Sequence, residues 1–151
     1  MEIESYITGF VDGEGCFAVS FSRRAKFKLG IEVRPSFSIS QNKRSLNVLG
    51  EIRDFFKCGS IRFSKSDQTY KYEVRSVSEI VKKIIPHFEK FPLKTSKRSD
   101  FKVFKEICAL IVQNKHKNKE FLAKIIELAY QMNWSGKRKF AKSDLLRLLA
   151  R

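Results

Sequence analysis

Cysteine and histidine are scarce in this chain of 151 residues. It has three cysteines and two histidines, and none of the Cys-x-x-Cys or Cys/His spacings typical of zinc binding occurs. The odd number of widely spaced cysteines excludes a disulfide framework and indicates reduced thiols in an intracellular protein. His87 and His116 are isolated, and we expect them to be surface or helix-end residues.

Long hydrophobic runs are also absent. No apolar run reaches the roughly 18 residues that cross a bilayer. The first residues are acidic and amphipathic, unlike a secretory signal. We therefore expect no membrane partner. Hydrophobic residues still make up 42% of the chain, with 14 Phe among them, which is enough for the core of a single domain over residues 1–151.

Acidic residues are outnumbered, with 16 Asp and Glu against 31 Lys and Arg, so the formal net charge is +15. An excess of this size predicts a polyanionic partner. Nucleic acid fits better than a membrane surface, because no helix combines a basic face with a large apolar one. We expect no small-molecule substrate. The abundance of Lys, Phe, Ile, Ser and Asn favours an AT-rich coding genome, as in a chloroplast or mitochondrion.

Hydrophobic periodicity switches repeatedly between the helical and the strand period. It predicts helices over 5–12, 45–56, 78–91, 100–113, 118–132 and 144–149, and strands over 16–22, 31–41, 60–64 and 70–74, with a basic loop over 134–139. Pro35 indicates an edge position or a bulge in the second strand. Pro86 should bend or split its helix, and Ser143 should cap the last one. The order predicts an α+β fold, in which helices cover the apolar face of a mixed or antiparallel four-stranded sheet and further helices follow.

The other face of the predicted sheet combines small Ser side chains with Arg, Lys and Glu. Such side chains on a β-ribbon can enter the DNA major groove, where Arg reads guanine and Glu can accept from cytosine. Lysines in the first hairpin loop suit phosphates. The alternative is a solvated sheet face, which is common in antiparallel sheets. The residues that we expect to contact DNA are Ser20, Ser22, Arg24, Lys26, Lys28, Glu32, Arg34, Ser36, Ser38, Ser40, Arg62, Ser64, Lys71, Glu73 and Arg75.

The stretch from Ile7 to Gly15 is the most informative part of the sequence. Gly9 and Gly13 are four residues apart and share one helix face, which suggests close approach of another backbone. Asp12 and Glu14 lie at or just past the helix C-terminus, where the macrodipole disfavours a carboxylate. A bound Mg²⁺ or Ca²⁺ would explain an acid beside free helical carbonyls. The alternative is a glycine C-cap, with Gly13 or Gly15 left-handed, followed by a solvated acid.

The run Phe10-Val11-Asp12-Gly13-Glu14-Gly15 resembles the signature of the LAGLIDADG homing endonucleases. The resemblance extends from about Tyr6 to the helix after Lys97. It implies an αββαββα fold with a saddle-shaped sheet, a homodimer whose motif helices cross, and Mg²⁺-dependent cleavage of double-stranded DNA. Ca²⁺ or Mn²⁺ can substitute for Mg²⁺ in binding.

The resemblance also assigns residue roles. It implies that Glu14 binds the metal together with the Gly13 carbonyl, that Gln41 orders water, and that Lys94 polarises the water network or the phosphate. One position departs from the family pattern. Where some members carry an arginine four residues after the glutamine, this sequence has Ser45, preceded by Arg44.

Cutting a duplex requires two scissions, and the chain carries one motif, so a C₂ homodimer is the economical prediction. Gly9, Asp12 and Gly13 would lie at its interface, with Asp12 in a helix-end or interface role. We interpret the chain as an intron-encoded, site-specific DNA endonuclease acting on a long pseudo-palindromic site. Two alternatives stay open. One is a non-cleaving maturase or DNA-binding regulator on the same scaffold. The other is a basic RNA-binding protein, which would more often expose aromatic residues on its sheet.

Overall fold

The computed structural model describes residues 2–133 and 138–151, so most of the basic loop expected after Trp134 lies outside the described residues. The chain forms two compact units. The first contains the residues up to Phe17 together with Ser36–Arg98, and the second contains Ala18–Pro35 together with the residues from Ser99 onward. That the whole chain acts as one functional domain remains a prediction.

The elements follow the predicted order, with small changes at their ends. They are α1 (Ile3–Glu14), β1 (Gly15–Arg23), β2 (Ile31–Gln41), a 3₁₀ turn (Lys43–Ser45), α2 (Leu46–Phe56), β3 (Ser60–Ser64), β4 (Thr69–Val74), α3 (Val77–Glu79), a π-helical turn (Ile80–Ile84), α4 (Ile85–Lys90), α5 (Lys97–Val112), a second 3₁₀ turn (Lys115–Lys117), α6 (Lys119–Ala129) and α7 (Lys142–Ala150). In the described ranges, no helix is both long and apolar enough to cross a bilayer.

The four strands form one sheet in the order β1-β2-β4-β3. Strand β4 pairs antiparallel with β2, from Phe37↔Val74 to Gln41↔Tyr70, and with β3 on its other side. The α+β class is therefore confirmed. The sequence favoured an edge position or a bulge at Pro35, and β2 as a whole is an internal strand. Pro35 lies before the first residue of β2 that pairs with β4, so its missing N–H removes no bond from that ladder.

The core of the first unit is an aromatic cluster between the sheet and the helices. Phe37 of β2 contacts Phe17, Phe56 and Phe88, with ring centroids 5.3–6.1 Å apart. All four rings are almost fully buried. These rings occupy the strand and helix positions that hydrophobic periodicity assigned to the apolar face. The alternating residues of the strands and the residues at 3.6-residue spacing on the helices therefore pack in the same core.

Pro86 is accommodated by a π-helical turn. The N–H of Ile85 donates to the carbonyl of Ile80, five residues earlier, and α4 begins there with Pro86 in its first turn. Proline has no N–H to donate and clashes with the preceding turn of an α-helix. Widening that turn separates α3 from α4, which confirms the predicted split.

Two local expectations are corrected by the structure. His87 lies in the last turn of α4, a helix-end position, but it is not a surface residue. It is 8% exposed, because it packs edge-on against Phe55, Phe56 and Phe88. Burial lowers the pKa of this imidazole from 6.5 to about 4, so it is neutral at physiological pH. Ser143 does not cap the last helix, since α7 begins at Lys142 with Ala141 at the N-cap.

In the second unit, an arginine that sequence analysis placed in a basic loop is a structural residue. The guanidinium of Arg138 donates to the carbonyl of Val19 at 2.7 Å and to that of Ala129, and it lies 4.4 Å from the centroid of the Tyr130 ring. Tyr130 stacks in turn on Phe21. Arg138 thereby joins β1 to the end of α6.

We predict that Arg138→Ala lowers the free energy of unfolding by about 2–3 kcal/mol, because two backbone carbonyls lose charged donors. Arg147→Ala is the matched control. Its side chain is 71% exposed and pairs with Asp144, so the loss there should be about 0.5 kcal/mol or less. Urea denaturation of both variants checks this, and equal losses would contradict the structural role of Arg138.

Candidate active site and nucleic-acid interface

Helix α1 is anchored along one face. Ile7 and Val11 are fully buried. Thr8 Oγ1 donates to the carbonyl of Phe91 at 2.9 Å and lies 3.1 Å from Nε2 of His87. The apolar stripe in the sequence marks this face. The polar contacts of Thr8 were not foreseen, because their partners lie about eighty residues away along the chain.

The three glycines of the motif differ in whether a side chain would fit at their positions. A Cβ on Gly15 would lie 2.6 Å from Cγ1 of Val11 and 3.0 Å from its carbonyl oxygen, so only glycine fits there. A Cβ on Gly9 or Gly13 would meet nothing within 4 Å. Gly13 is helical and Gly15 is extended, with φ −84°, so the left-handed glycine cap considered as the alternative does not occur. Nothing within the described part of the protomer therefore requires glycine at positions 9 and 13.

Asp12 binds the backbone that carries Lys94. Its carboxylate accepts from the N–H of Lys94 at 2.9 Å, from the N–H of Thr95 at 3.1 Å and from the Thr95 hydroxyl at 2.8 Å. Burial alone would raise the pKa of Asp12, but these donors and the charge of Lys97 together hold it below the ordinary 3.8. The helix-end role predicted for Asp12 is thus structural, and its place at a dimer interface remains a prediction.

Glu14 differs from Asp12. It is the exposed last residue of α1, and in the ranges 2–133 and 138–151 no hydrogen bond or ion pair of its carboxylate is observed. It stands beside carbonyls of the last helical turn that lack intrahelical donors. Carboxylate and carbonyl oxygens are the donors that Mg²⁺ and Ca²⁺ prefer. Among the described residues, however, no group of three or more acidic, His or Cys side chains could enclose a metal. The donors fit a divalent cation that takes further ligands from elsewhere.

The other predicted catalytic residues lie at element ends. Gln41 is the half-buried last residue of β2, opposite Tyr70 of β4. Lys94 is exposed in the segment before α5, and it lines a cleft with Asp12 and Gly9 of α1. The structure therefore brings Lys94 to the motif helix. Within the described residues, no hydrogen bond or ion pair joins Gln41 to Glu14 or Lys94, so its catalytic role remains a prediction.

Ser45, at the departure from the family pattern, is half-buried at the N-cap of α2 and makes no capping hydrogen bond there. Arg44 is exposed, and its backbone N–H donates to Asn42.

The first hairpin, in the second unit, carries an exposed basic loop. Lys26 and Lys28 are exposed on either side of Phe27, whose ring is 37% exposed. Hydrogen bonds from Arg24 N–H to Gly30 and from Phe27 N–H to Arg24 fix the loop backbone. On the strands, Glu32 lies 3.5 Å from Arg34 and 3.9 Å from Arg24.

The second hairpin, in the first unit, carries a similar group with a buried centre. Glu73 is 8% exposed, and its carboxylate contacts Arg62, Lys71 and Arg75. Ser38 is also buried, at 7%, whereas Ser40, Arg62 and Arg75 are exposed. Sequence analysis placed all of these residues on the polar face, but alternation alone did not reveal which of them reach solvent.

Comparison with known proteins identifies close relatives. A family model described as LAGLIDADG endonuclease matches residues 7–108. A probable intron-encoded endonuclease of Neurospora crassa is 36% identical over 131 residues, which are 86% of this chain and 29% of that protein. This chain therefore spans less than a third of that relative's length.

Two solved structures are similar over nearly the whole chain. The homing endonuclease I-TnaI is 41% identical, with a TM-score of 0.86, over 99% of this chain and 98% of that one. The second is I-SmaMI bound to an uncleaved DNA target in the presence of calcium ions. It is 30% identical, with a TM-score of 0.89, over 100% of this chain and 50% of that one.

We predict that Asp12→Asn lowers the free energy of unfolding by about 1–2 kcal/mol at neutral pH, because a charged acceptor of several donors is lost. Since the pKa of Asp12 is lowered on folding, its contribution is present above pH 3.8 and disappears as the pH falls through the lower folded value. The difference from wild type should therefore vanish in acid.

Chemical denaturation at a series of pH values measures this difference. Asp54→Asn is the control, because Asp54 is 77% exposed and pairs only with its neighbour Arg53. A difference between Asp12→Asn and wild type that is constant with pH would contradict the assignment.

Proposed function

Because the chain belongs to the LAGLIDADG endonuclease family, we propose that it is a site-specific endonuclease that hydrolyses double-stranded DNA at a long pseudo-palindromic site. The observation that carries this proposal is Glu14, an exposed carboxylate at the end of α1 for which no hydrogen bond or ion pair is observed among the described residues. Stability does not favour an acid at a helix C-terminus, so its presence there supports a role in chemistry.

Glu14 and the Gly13 carbonyl would hold a divalent cation, Mg²⁺ by preference, with Ca²⁺ or Mn²⁺ able to replace it in binding. When bound, such an ion neutralises phosphate charge and lowers the pKa of coordinated water. Gln41 would orient the attacking water through its amide, which both donates and accepts. Lys94 would place its ammonium group against the phosphate, and Asp12 would fix the backbone that carries it.

We propose further that the active form is a homodimer. One chain supplies one Glu14, and two strands must be cut. A Cβ on Gly9 or Gly13 of α1 would meet nothing within 4 Å in the ranges 2–133 and 138–151. The DNA-bound I-SmaMI chain is twice the length that this chain covers, which supports two copies of the present fold. Crossing at the glycines would also bring together the acids that one chain lacks for a complete metal site.

The charge distribution supports DNA as the partner. The exposed loop with Lys26 and Lys28 suits phosphates, and the strand arginines Arg34, Arg62 and Arg75 suit base edges. The relative in Neurospora crassa is named as intron-encoded. With the AT-rich type of composition, this supports an intron-encoded protein of an organelle.

We predict that Glu14→Gln abolishes cleavage and leaves DNA affinity near that of wild type, because the amide keeps the shape but is a poor metal ligand. Glu51→Gln, at an exposed position of α2, should cut normally. The test is incubation of both variants with a randomised duplex library and Mg²⁺. Cleavage by Glu14→Gln at the wild-type rate would contradict the proposal. Sequence-selective binding without any cutting by wild type would favour the non-cleaving alternative.

We predict that Gly13→Leu prevents dimer formation. Leucine is a better helix former than glycine by up to about 1 kcal/mol, and a Cβ at position 13 meets nothing within 4 Å among the described residues, so we expect the loss to come from the partner. Gly50→Leu in α2 is the matched control, since a Cβ there also meets nothing within 4 Å. Sedimentation should give monomer or insoluble protein for the first variant and dimer for the second. A soluble Gly13→Leu dimer would contradict crossing at the glycines.

We predict two classes of basic residue. Lys26→Ala with Lys28→Ala should weaken binding to all sequences and flatten the salt dependence by about 0.9 in log–log slope per lost phosphate contact. Arg34→Ala should instead relax preference at one base pair in each half-site, by about 1–3 kcal/mol. Binding profiles over all single-base variants of the target distinguish the two. An equal loss of affinity for all target variants in Arg34→Ala would show that Arg34 contacts phosphates and not base edges.

A further inference from the structure

The polar face of the second hairpin contains a buried carboxylate surrounded by cations. Oε1 of Glu73 lies 2.8 Å from Nε of Arg75 and 3.2 Å from Nη2 of Arg62, and Oε2 lies 3.5 Å from Nζ of Lys71. The Glu73 side chain is 9% exposed, whereas those of Arg62 and Arg75 are 55% and 52% exposed. The acid is therefore beneath its partners, and the guanidinium groups lie between it and solvent.

The strand register explains how this arrangement is built. Glu73 stands opposite Ser38 of β2 and Ser60 of β3, and these small side chains leave room for the arginines to fold over it. In the next row, Arg62 stands opposite Lys71. Like charges placed directly opposite on two strands destabilise the pair. Glu73 lies two residues after Lys71 on β4 and diagonally across from Arg62 on β3, so that one carboxylate offsets both positive charges.

Such a carboxylate is poorly placed to read DNA. Both of its oxygens already have cationic partners, and phosphates would repel it if it were exposed. The arginines, by contrast, retain donors. The contact of Arg75 with Glu73 is through Nε and that of Arg62 is through Nη2, and a guanidinium group has five N–H donors, more than one such contact uses. A guanidinium held by a carboxylate on one side can present a fixed donor pair on the other, which is the requirement for bidentate recognition of guanine.

We propose that Glu73 is a positioning residue that sets sequence specificity by holding Arg62 and Arg75 in fixed orientations, without contacting a base itself. This proposal rests on the proposed function, since it concerns selection among DNA sequences. It predicts that, once the charge of Glu73 is removed, Arg62, Lys71 and Arg75 can move and pair with phosphates of any sequence. Binding to random DNA then becomes tighter and more salt-dependent, while discrimination between sequences falls.

The test compares Glu73→Gln with Glu51→Gln. Both substitutions keep side-chain shape and raise the net charge by one, but Glu51 lies on the exposed face of α2. Binding of each variant is measured against random duplex and against all single-base variants of the target that wild type selects. For Glu73→Gln we expect preference to fall about tenfold at the base pairs that Arg62→Ala and Arg75→Ala also affect. Glu51→Gln should leave the profile unchanged.

A second measurement establishes whether Glu73 acts through the arginines. Combined with Arg62→Ala and Arg75→Ala, Glu73→Gln should cause no further loss of discrimination, because residues that act through one another are not additive. A further loss in that background would show that Glu73 contacts a base directly and would overturn the proposal. So would an unchanged profile for Glu73→Gln alone, or a loss spread evenly over all positions.

A third measurement does not depend on DNA or on the folding of a variant. In the free wild-type protein, the Nε–Hε group of Arg75 should give an ordered NMR signal that exchanges slowly with water, and rapid exchange would overturn the positioning role. A wild-type protein with no preferred base would overturn the proposed function. A sequence-selective wild type whose profile survives Glu73→Gln would overturn the role of Glu73 alone.

Discussion

The carboxylate of Asp12 accepts hydrogen bonds from the N–H groups of Lys94 and Thr95 and thereby joins the end of α1 to the segment before α5. Two remote stretches of the chain meet at this point. Glu14 follows Asp12 by two residues, and Lys94 provides one of the N–H groups. The relative placement of the proposed metal-binding acid and the proposed catalytic lysine therefore depends on one carboxylate to which a structural role is assigned.

Helix α1 is packed against the first unit on one side and carries the two motif glycines on the other. Ile7, Thr8 and Val11 fix it to the first unit through burial and through hydrogen bonds to His87 and Phe91. On the other side, a Cβ on Gly9 or Gly13 would meet nothing within 4 Å. A helix anchored on one side, with two glycines one turn apart on the other, is suited to close packing against a second helix. This supports assigning the glycines to an interface between protomers, because the described part of the protomer does not need them.

The charged residues on the polar face of the sheet also have distinct roles. In each hairpin a glutamate contacts arginines on the same polar face, Glu32 in the second unit and Glu73 in the first. Only Glu73 is buried beneath its partners. A net charge of +15 predicts attraction to a polyanion but carries no sequence information. Acids that fix the direction of a few arginines are a physical means of adding that information to a basic surface.

The α+β order, the apolar faces and the motif helix could be predicted from the sequence, because these depend on periodicity within a few residues. Even the bend or split at Pro86 was predictable, since the missing N–H is a local property. The burial of His87, the bonds of Arg138 to Val19 and Ala129, and the position of Glu73 beneath two arginines became evident only from the fold. Alternation assigns a residue to a face. Burial and partners depend on which distant segments cover that face, and neighbouring residues do not encode that contact.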